Sequence, residues 1–336
     1  MTSQTAPFGV VAEPGKFVVQ TRPKVDTPPE GWVLIDICAV GLCGTDYHIF
    51  EGKHPFLDYP RVIGHELSGR VARDSLGWKA GELVVINPYL TCGTCRSCRR
   101  GKPNCCSNIE VLGVHRDGGL TPQLAVPAGN LIAAEGLTPH QAAMVEFLAI
   151  GAHAVKRSMI NKGDEVLVTG VGPIGIGVAL FARLNGGQVT LLDLDRSRLE
   201  MAQETFGFDR GFDSIEATLR DTDGFDVVLD ATGHQAAIES GFVAVAHGGT
   251  YTLVSVVKDT IRFSDPEFHK REMSLLGSRN ALREDFDWVM AAIRNKDIDT
   301  DALCSDVISL EQLSERFSAL ASDRTELIKV IVQLQC

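Results

Sequence analysis

The chain has 336 residues, which at about 150 residues per domain predicts two domains, and 44% apolar with 22% charged residues fits a folded protein with substantial cores. Its net charge of -11 opposes a phosphate backbone and argues against general nucleic-acid binding. No apolar run approaches the ~18 residues of a membrane span, and Met1 to Val11 lacks the basic start and apolar core of an export signal, so the cytoplasm is the expected location.

From Phe17 to about Val126 the pattern is short apolar or alternating runs, such as Trp32 to Ile37 and Leu83 to Ile86, broken by Gly, Pro and Asp. Such runs predict strands and an irregular β domain. Its loops carry Gly41-Leu42-Cys43-Gly44-Thr45-Asp46-Tyr47-His48 and Gly64-His65-Glu66, each after a strand-like run. A thiolate, an imidazole and a carboxylate form a mixed ligand set that suits zinc. Three strong ligands leave a position for water or substrate, which separates catalytic from structural zinc. Taken alone, either segment reads more readily as a buried Cys, a loop His and an exposed Glu with no common purpose.

The nine cysteines are an odd number in a large chain, and five of them fall between Cys92 and Cys106. In a reducing cytosol such a cluster binds metal rather than forming disulfides. Cys92, Cys95, Cys98 and Cys106 have the spacing of four thiolates closing around one structural zinc, with Cys105 open as an alternative fourth ligand. A DNA-reading zinc finger does not fit, because no basic recognition helix follows.

Pro139 to Ser158 predicts a helix containing Glu146, which is either surface-exposed or, if buried, paired or near a metal. At Asp164 the character changes. The strand run Glu165 to Thr169 leads into Gly170-Val171-Gly172-Pro173-Ile174-Gly175, a helix follows, and a second strand, Gln188 to Leu192, ends at Asp193. In that context the glycine turn is a dinucleotide fingerprint, with pyrophosphate at the helix N-terminus and the acid on the adenosine ribose. Asp193 favours NAD over NADP, although Arg196 and Arg198 lie just beyond it. Alternation continues through helices at Arg196 to Phe206 and Gln235 to Ala246 and strands at Phe225 to Asp230 and Gly249 to Val256, to Ser274 to Gly277. This pattern predicts a doubly wound parallel sheet. Helices at Asp285 to Lys296 and Leu310 to Leu320 and a strand at Ile328 to Leu334 then return to the first domain. The expected boundaries are 1–150 with 285–336, and 151–284.

Together these motifs resemble the zinc-dependent medium-chain alcohol and polyol dehydrogenase family over nearly the whole chain. The resemblance implies an α/β architecture, with an irregular β-rich GroES-like catalytic domain and a doubly wound parallel-sheet Rossmann domain. It implies Cys43, His65 and Glu66 as catalytic zinc ligands, with Glu146 either a further ligand or the holder of the metal's water. Thr45 and His48 fall where the family keeps a proton relay, and Arg279 where related enzymes reach the substrate. Gly170, Gly172, Pro173, Ile174, Gly175, Asp193 and Arg198 would hold NAD, with NADP less favoured. A homodimer or homotetramer is also implied.

Within the family, Val111 to Gly119, Ser264 to Lys270 and Gly277 to Asn280 are similar to sugar-acid dehydrogenases of the L-galactonate and L-idonate type. The chain departs from the family at Phe147, where Pro is usual, and in a short loop around Arg73 to Ala80. A sugar acid needs a cation for its carboxylate, and Arg279, Arg116 and Lys270 are the candidates. The rival readings are a neutral polyol or simple alcohol as substrate, and a non-catalytic protein that binds zinc and NAD.

Overall fold

The strand that carries Cys43 at its end, Trp32–Leu42, lies inside a seven-stranded sheet, because Val33, Ile35, Ile37, Ala39 and Val40 are all buried. Such a run, rich in β-branched residues and covered on both sides, is stable only in the middle of a sheet. The computed structural model describes residues 5–23, 27–54, 57–220, 222–325 and 327–336, and divides into two compact units. The first is Met1–Glu146 with Met290–Cys336, and the second is Phe147–Val289.

In the first unit the strand order is Cys304–Ser309, Lys329–Gln333, Trp32–Leu42, Glu66–Val71, Leu83–Ile86 and Leu131–Ala133, with Gln123–Pro127 also paired to Trp32–Leu42. The register sets Gly41 opposite Ile331 on one side and opposite Glu66 on the other. The last strand of the chain therefore borders the segment that carries the first motif. Helix Leu310–Ser322 covers this core through Phe317, whose ring stacks 4.9 Å from Phe17 and lies 4.7 Å from Phe50. Just beyond the last strand, Cys336 is disulfide-bonded to Cys38, a pairing that reading the cysteines as metal donors did not anticipate.

The helix expected over Pro139 to Ser158 is two helices, Pro139–Ala143 and Val145–Ser158. The Met144 N–H is shared between the His140 and Gln141 carbonyls, so the ladder tightens there and restarts. The restart puts Glu146 in the first turn of the second helix.

The second unit holds a six-stranded, wholly parallel sheet in the order Arg210–Phe212, Gln188–Leu192, Glu165–Thr169, Phe225–Asp230, Val245–Leu253, Ser274–Gly277. Numbered along the chain this is 3-2-1-4-5-6, the doubly wound order. The glycine turn follows the first of these strands, where the strand order reverses. Among the described residues no helix is long and apolar enough to cross a membrane.

Candidate active site

Two sequence segments meet through one buried acid. Cys43 caps helix Gly44–Phe50, and its N–H donates to Asp46 Oδ2 at 2.9 Å. Asp46 Oδ1 accepts from the Gly64 N–H at 3.1 Å, so a single carboxylate ties both motifs together. Gly64 has φ +97°, and a Cβ there would lie 2.6 Å from Val40 Cγ1, so only glycine fits this turn. His65 and Glu66 follow it into the core.

One donor atom each from Cys43, His65 and Glu66 lie within 4.8 Å of one another. His65 Nδ1 is buried without a hydrogen-bond partner, and Glu66 Oε2 has the Lys329 ammonium at 2.6 Å. A buried polar atom left bare is costly, and a cation shared by the three donors would satisfy the His65 nitrogen. The mixed thiolate, imidazole and carboxylate donor set and the orphaned His65 nitrogen fit zinc. Burial pushes Asp46 up from the usual carboxylate range. For His65 burial acts downward, but the Asp46 and Cys43 charges outweigh it and hold the imidazole well above its ordinary value.

Two partners of the site were not foreseen from sequence. Lys329 is buried, and its Nζ donates to Glu66 Oε1 at 2.6 Å and to the Leu42 carbonyl at 3.1 Å. The only signal was a lysine opening an apolar strand, a position where a charge must be paired. Tyr89, also buried, donates its hydroxyl to Glu146 Oε1. Glu146 is itself buried and does not belong to the set of mutually close donors. Burial raises its carboxyl to about 7 against the lowering effect of His65.

The remaining expected residues fall as follows. Thr45, half-buried, and His48, exposed, stand three residues apart on helix Gly44–Phe50. The Val111 to Gly119 segment wraps the ligand loop: the Gly118 N–H donates to the Val62 carbonyl and the Gly119 N–H to the Gly64 carbonyl. A Cβ on Gly113 would lie 2.7 Å from the Gly64 oxygen. Within this segment Arg116 is paired with Glu110 at 2.5 Å and lies over the Trp32 ring. Lys270 is paired with Glu267 at 3.7 Å, and Arg279 is exposed on the loop after Ser274–Gly277.

Cys92, Cys95, Cys98 and Cys106 form a second cluster. Sγ separations are 3.5 Å for Cys95 to Cys98, 3.9 Å for Cys95 to Cys106 and 3.5 Å for Cys92 to Cys106. Tetrahedral thiolates about 2.3 Å from zinc would stand ~3.8 Å apart, so the cluster fits that ion. Cys105 is exposed and outside it. The N–H groups of Cys98 and Ser107 lower the Cys95 thiol to about 5.

In the second unit Gly170 has φ +85°, and a Cβ on Gly175 would sit 1.7 Å from the Gly170 oxygen. Nothing lies within 4 Å of a Cβ on Gly172, at the N-terminus of helix Pro173–Leu184. An open glycine surface at a helix start is a fit cradle for pyrophosphate, with Pro173 and Ile174 forming the first turn. Asp193 accepts from the Val171 N–H at 2.6 Å and the Asp195 N–H at 2.9 Å. Arg196 is paired with Asp213, and Arg198 stands 3.8 Å from Asp195.

Comparison with known proteins agrees with these features. Residues 29–136 match the alcohol dehydrogenase GroES-like domain and residues 173–295 the zinc-binding dehydrogenase family. The chain is 37% identical to L-galactonate-5-dehydrogenase of Escherichia coli K12, over 96% of this chain and 98% of that protein. L-idonate 5-dehydrogenase of E. coli K-12 superposes with a TM-score of 0.89 at 26% identity, over 98% and 99% of the two chains. An E. coli CFT073 alcohol dehydrogenase complexed with NADH superposes with a TM-score of 0.92 at 26% identity, again over 98% and 99%. Likeness of this extent in sequence and fold means that the chain belongs to the zinc-type medium-chain alcohol and polyol dehydrogenase family.

Proposed function

We propose that this dehydrogenase oxidises a secondary alcohol of a sugar acid of the L-galactonate or L-idonate type, with NAD as the oxidant. The observation that carries the reading is the 37% identity, over nearly both whole chains, to a protein named for L-galactonate. In this reading the first unit is the zinc-binding catalytic domain and the second binds the dinucleotide.

Cys43, His65 and Glu66 would hold the catalytic zinc, and Cys92, Cys95, Cys98 and Cys106 the structural one. Zinc in the first set supplies Lewis acidity that makes an alcohol easier to deprotonate, and a nicotinamide accepts the hydride. Asp46 keeps the two ligand segments in register. Thr45 and His48, one helical turn apart, would pass the alcohol proton outward toward solvent. Gly170, Gly172, Pro173, Ile174 and Gly175 would receive the pyrophosphate, and Asp193 the adenosine ribose. Pairing of Arg196 and Arg198 with acids supports NAD, because a 2′-phosphate would have to compete for those cations. Arg279, which falls where related enzymes of the family reach the substrate and is exposed on the loop after Ser274–Gly277, is the proposed ligand of the substrate carboxylate.

The test is kcat/KM, followed as NADH formation, on L-galactonate, L-idonate and L-gulonate beside sorbitol, xylitol and simple alcohols. Aldonate turnover should dominate, and Arg279→Ala should lower it about tenfold or more, the loss of one charge-assisted hydrogen bond. Turnover confined to neutral polyols would keep the zinc chemistry and remove the sugar acid.

A further inference from the structure

Glu146 is buried within electrostatic reach of the donor set. Cys43, His65 and Glu66 form the proposed metal position, and the charges of His65, Glu66 and Lys329 all act on Glu146. A carboxylate so placed, if unrestrained, would be drawn onto a dication and would occupy the position that a substrate alcohol needs. Yet it stays outside the set of mutually close donors, and its Oε1 accepts from the Tyr89 hydroxyl.

Tyr89 is well built for that task. Its N–H donates to Asn87 Oδ1 at 3.0 Å, and its carbonyl accepts from Asn130 Nδ2 at 2.9 Å. The same Asn130 nitrogen donates to the Asn87 carbonyl at 2.8 Å, and Tyr89 pairs in register with Val111. The phenol is therefore a donor on a fixed arm, and its ring is buried. A carboxylate in the first turn of a helix can change rotamer, whereas a hydroxyl on a clamped backbone cannot follow it.

We infer that Tyr89 is a positioning residue that holds the Glu146 carboxylate off the metal and so reserves a coordination position for the substrate. The inference rests on the reading of Cys43, His65 and Glu66 as zinc ligands. Tyr89 lies three residues before Cys92, so the arm that orients Glu146 also leads into the four-thiol lobe.

The test uses the full-length enzyme substituted with cobalt(II), whose visible absorption reports coordination number. Bands lost in His65→Ala are assigned to this site. Tyr89→Phe should move them toward a higher-coordinate spectrum and raise KM for the alcohol about tenfold, the free-energy equivalent of one hydrogen bond to a charged group, with a smaller change in kcat. Adding Glu146→Gln to Tyr89→Phe should abolish the spectral shift. In the otherwise native chain Glu146→Gln should leave the spectrum unchanged, a readout that does not depend on Tyr89→Phe folding well. A spectrum altered by Glu146→Gln alone would make Glu146 a ligand and overturn the inference. So would a Tyr89→Phe spectrum and KM equal to those of the native enzyme. The absence of any band dependent on His65 would instead remove the zinc reading beneath it.

Discussion

Lys329 Nζ lies 2.6 Å from Glu66 Oε1, an ion pair closed inside the protein between residues 263 apart in sequence. The antiparallel register of the last strand against Trp32–Leu42 brings the lysine there. Gly41 makes room for the carboxylate, since a Cβ at that position would lie 2.2 Å from Glu66 Oε2. Glu66 is thus held from two sides before any metal arrives.

Removing the cation leaves a buried, unpaired carboxylate. Lys329→Met should therefore destabilise the zinc-free protein by about 3–5 kcal/mol, with Lys329→Arg recovering part of the loss. Urea midpoints measured in chelator check it, and equal midpoints for Lys329→Met and the native protein would contradict it.

The thiol lobe separates adjacent cysteines. Cys106 is buried inside the cluster, whereas Cys105 is exposed outside it. Cys106→Ser should lose the zinc of this site and Cys105→Ser should keep it, as read by metal analysis of the two purified variants.

At the glycine turn, Asp193 serves the fold as well as the proposed cofactor, because its carboxylate receives the Val171 N–H. Asp193→Ala should raise KM for NAD about tenfold, the equivalent of one charge-assisted hydrogen bond, and narrow the preference over NADP. If the NAD/NADP ratio of kcat/KM does not move, a different residue sets that preference.

Asp285 gives the second unit a pH dependence of definite sign. Burial alone would raise its carboxyl, but His153 at 2.7 Å, the Leu282 N–H at 2.8 Å and Lys156 at 3.1 Å outweigh burial and hold it below the ordinary value. A depressed carboxylate stabilises the folded state above its unfolded pKa of about 3.9, and that contribution fades as pH falls through the lower folded value. Asp285→Asn should cost about 1–3 kcal/mol at pH 7, with a deficit that shrinks below pH ~4. Urea midpoints of the two proteins across that range are the check.

Local patterns made much of the site legible. The strand-glycine-helix succession from Glu165 to Leu184 announced the parallel sheet, because period and turn chemistry are carried by neighbouring residues. The C-x2-C-x2-C-x7-C spacing likewise pointed to a thiol lobe closed by Cys106, with Cys105 left open as an alternative; the structure places Cys106 in the cluster and Cys105 exposed outside it. Contacts made by register over long separations could not be read in this way. Lys329 reaches Glu66 only because of strand order, and Cys38 meets Cys336 for the same reason. Nothing near Tyr89 in sequence points to Glu146, which its hydroxyl meets across 57 residues. The Val111 to Gly119 segment, read as a mark of substrate class, packs under the His65 loop, where its glycines allow close backbone approach.

The most direct test of the account is the zinc content of the native chain and of His65→Ala, measured together with NADH formation. The account predicts zinc in both donor sets of the native chain, and loss of one ion and of turnover in His65→Ala, with the thiol-lobe zinc retained. Unchanged zinc content or undiminished turnover in His65→Ala would contradict it.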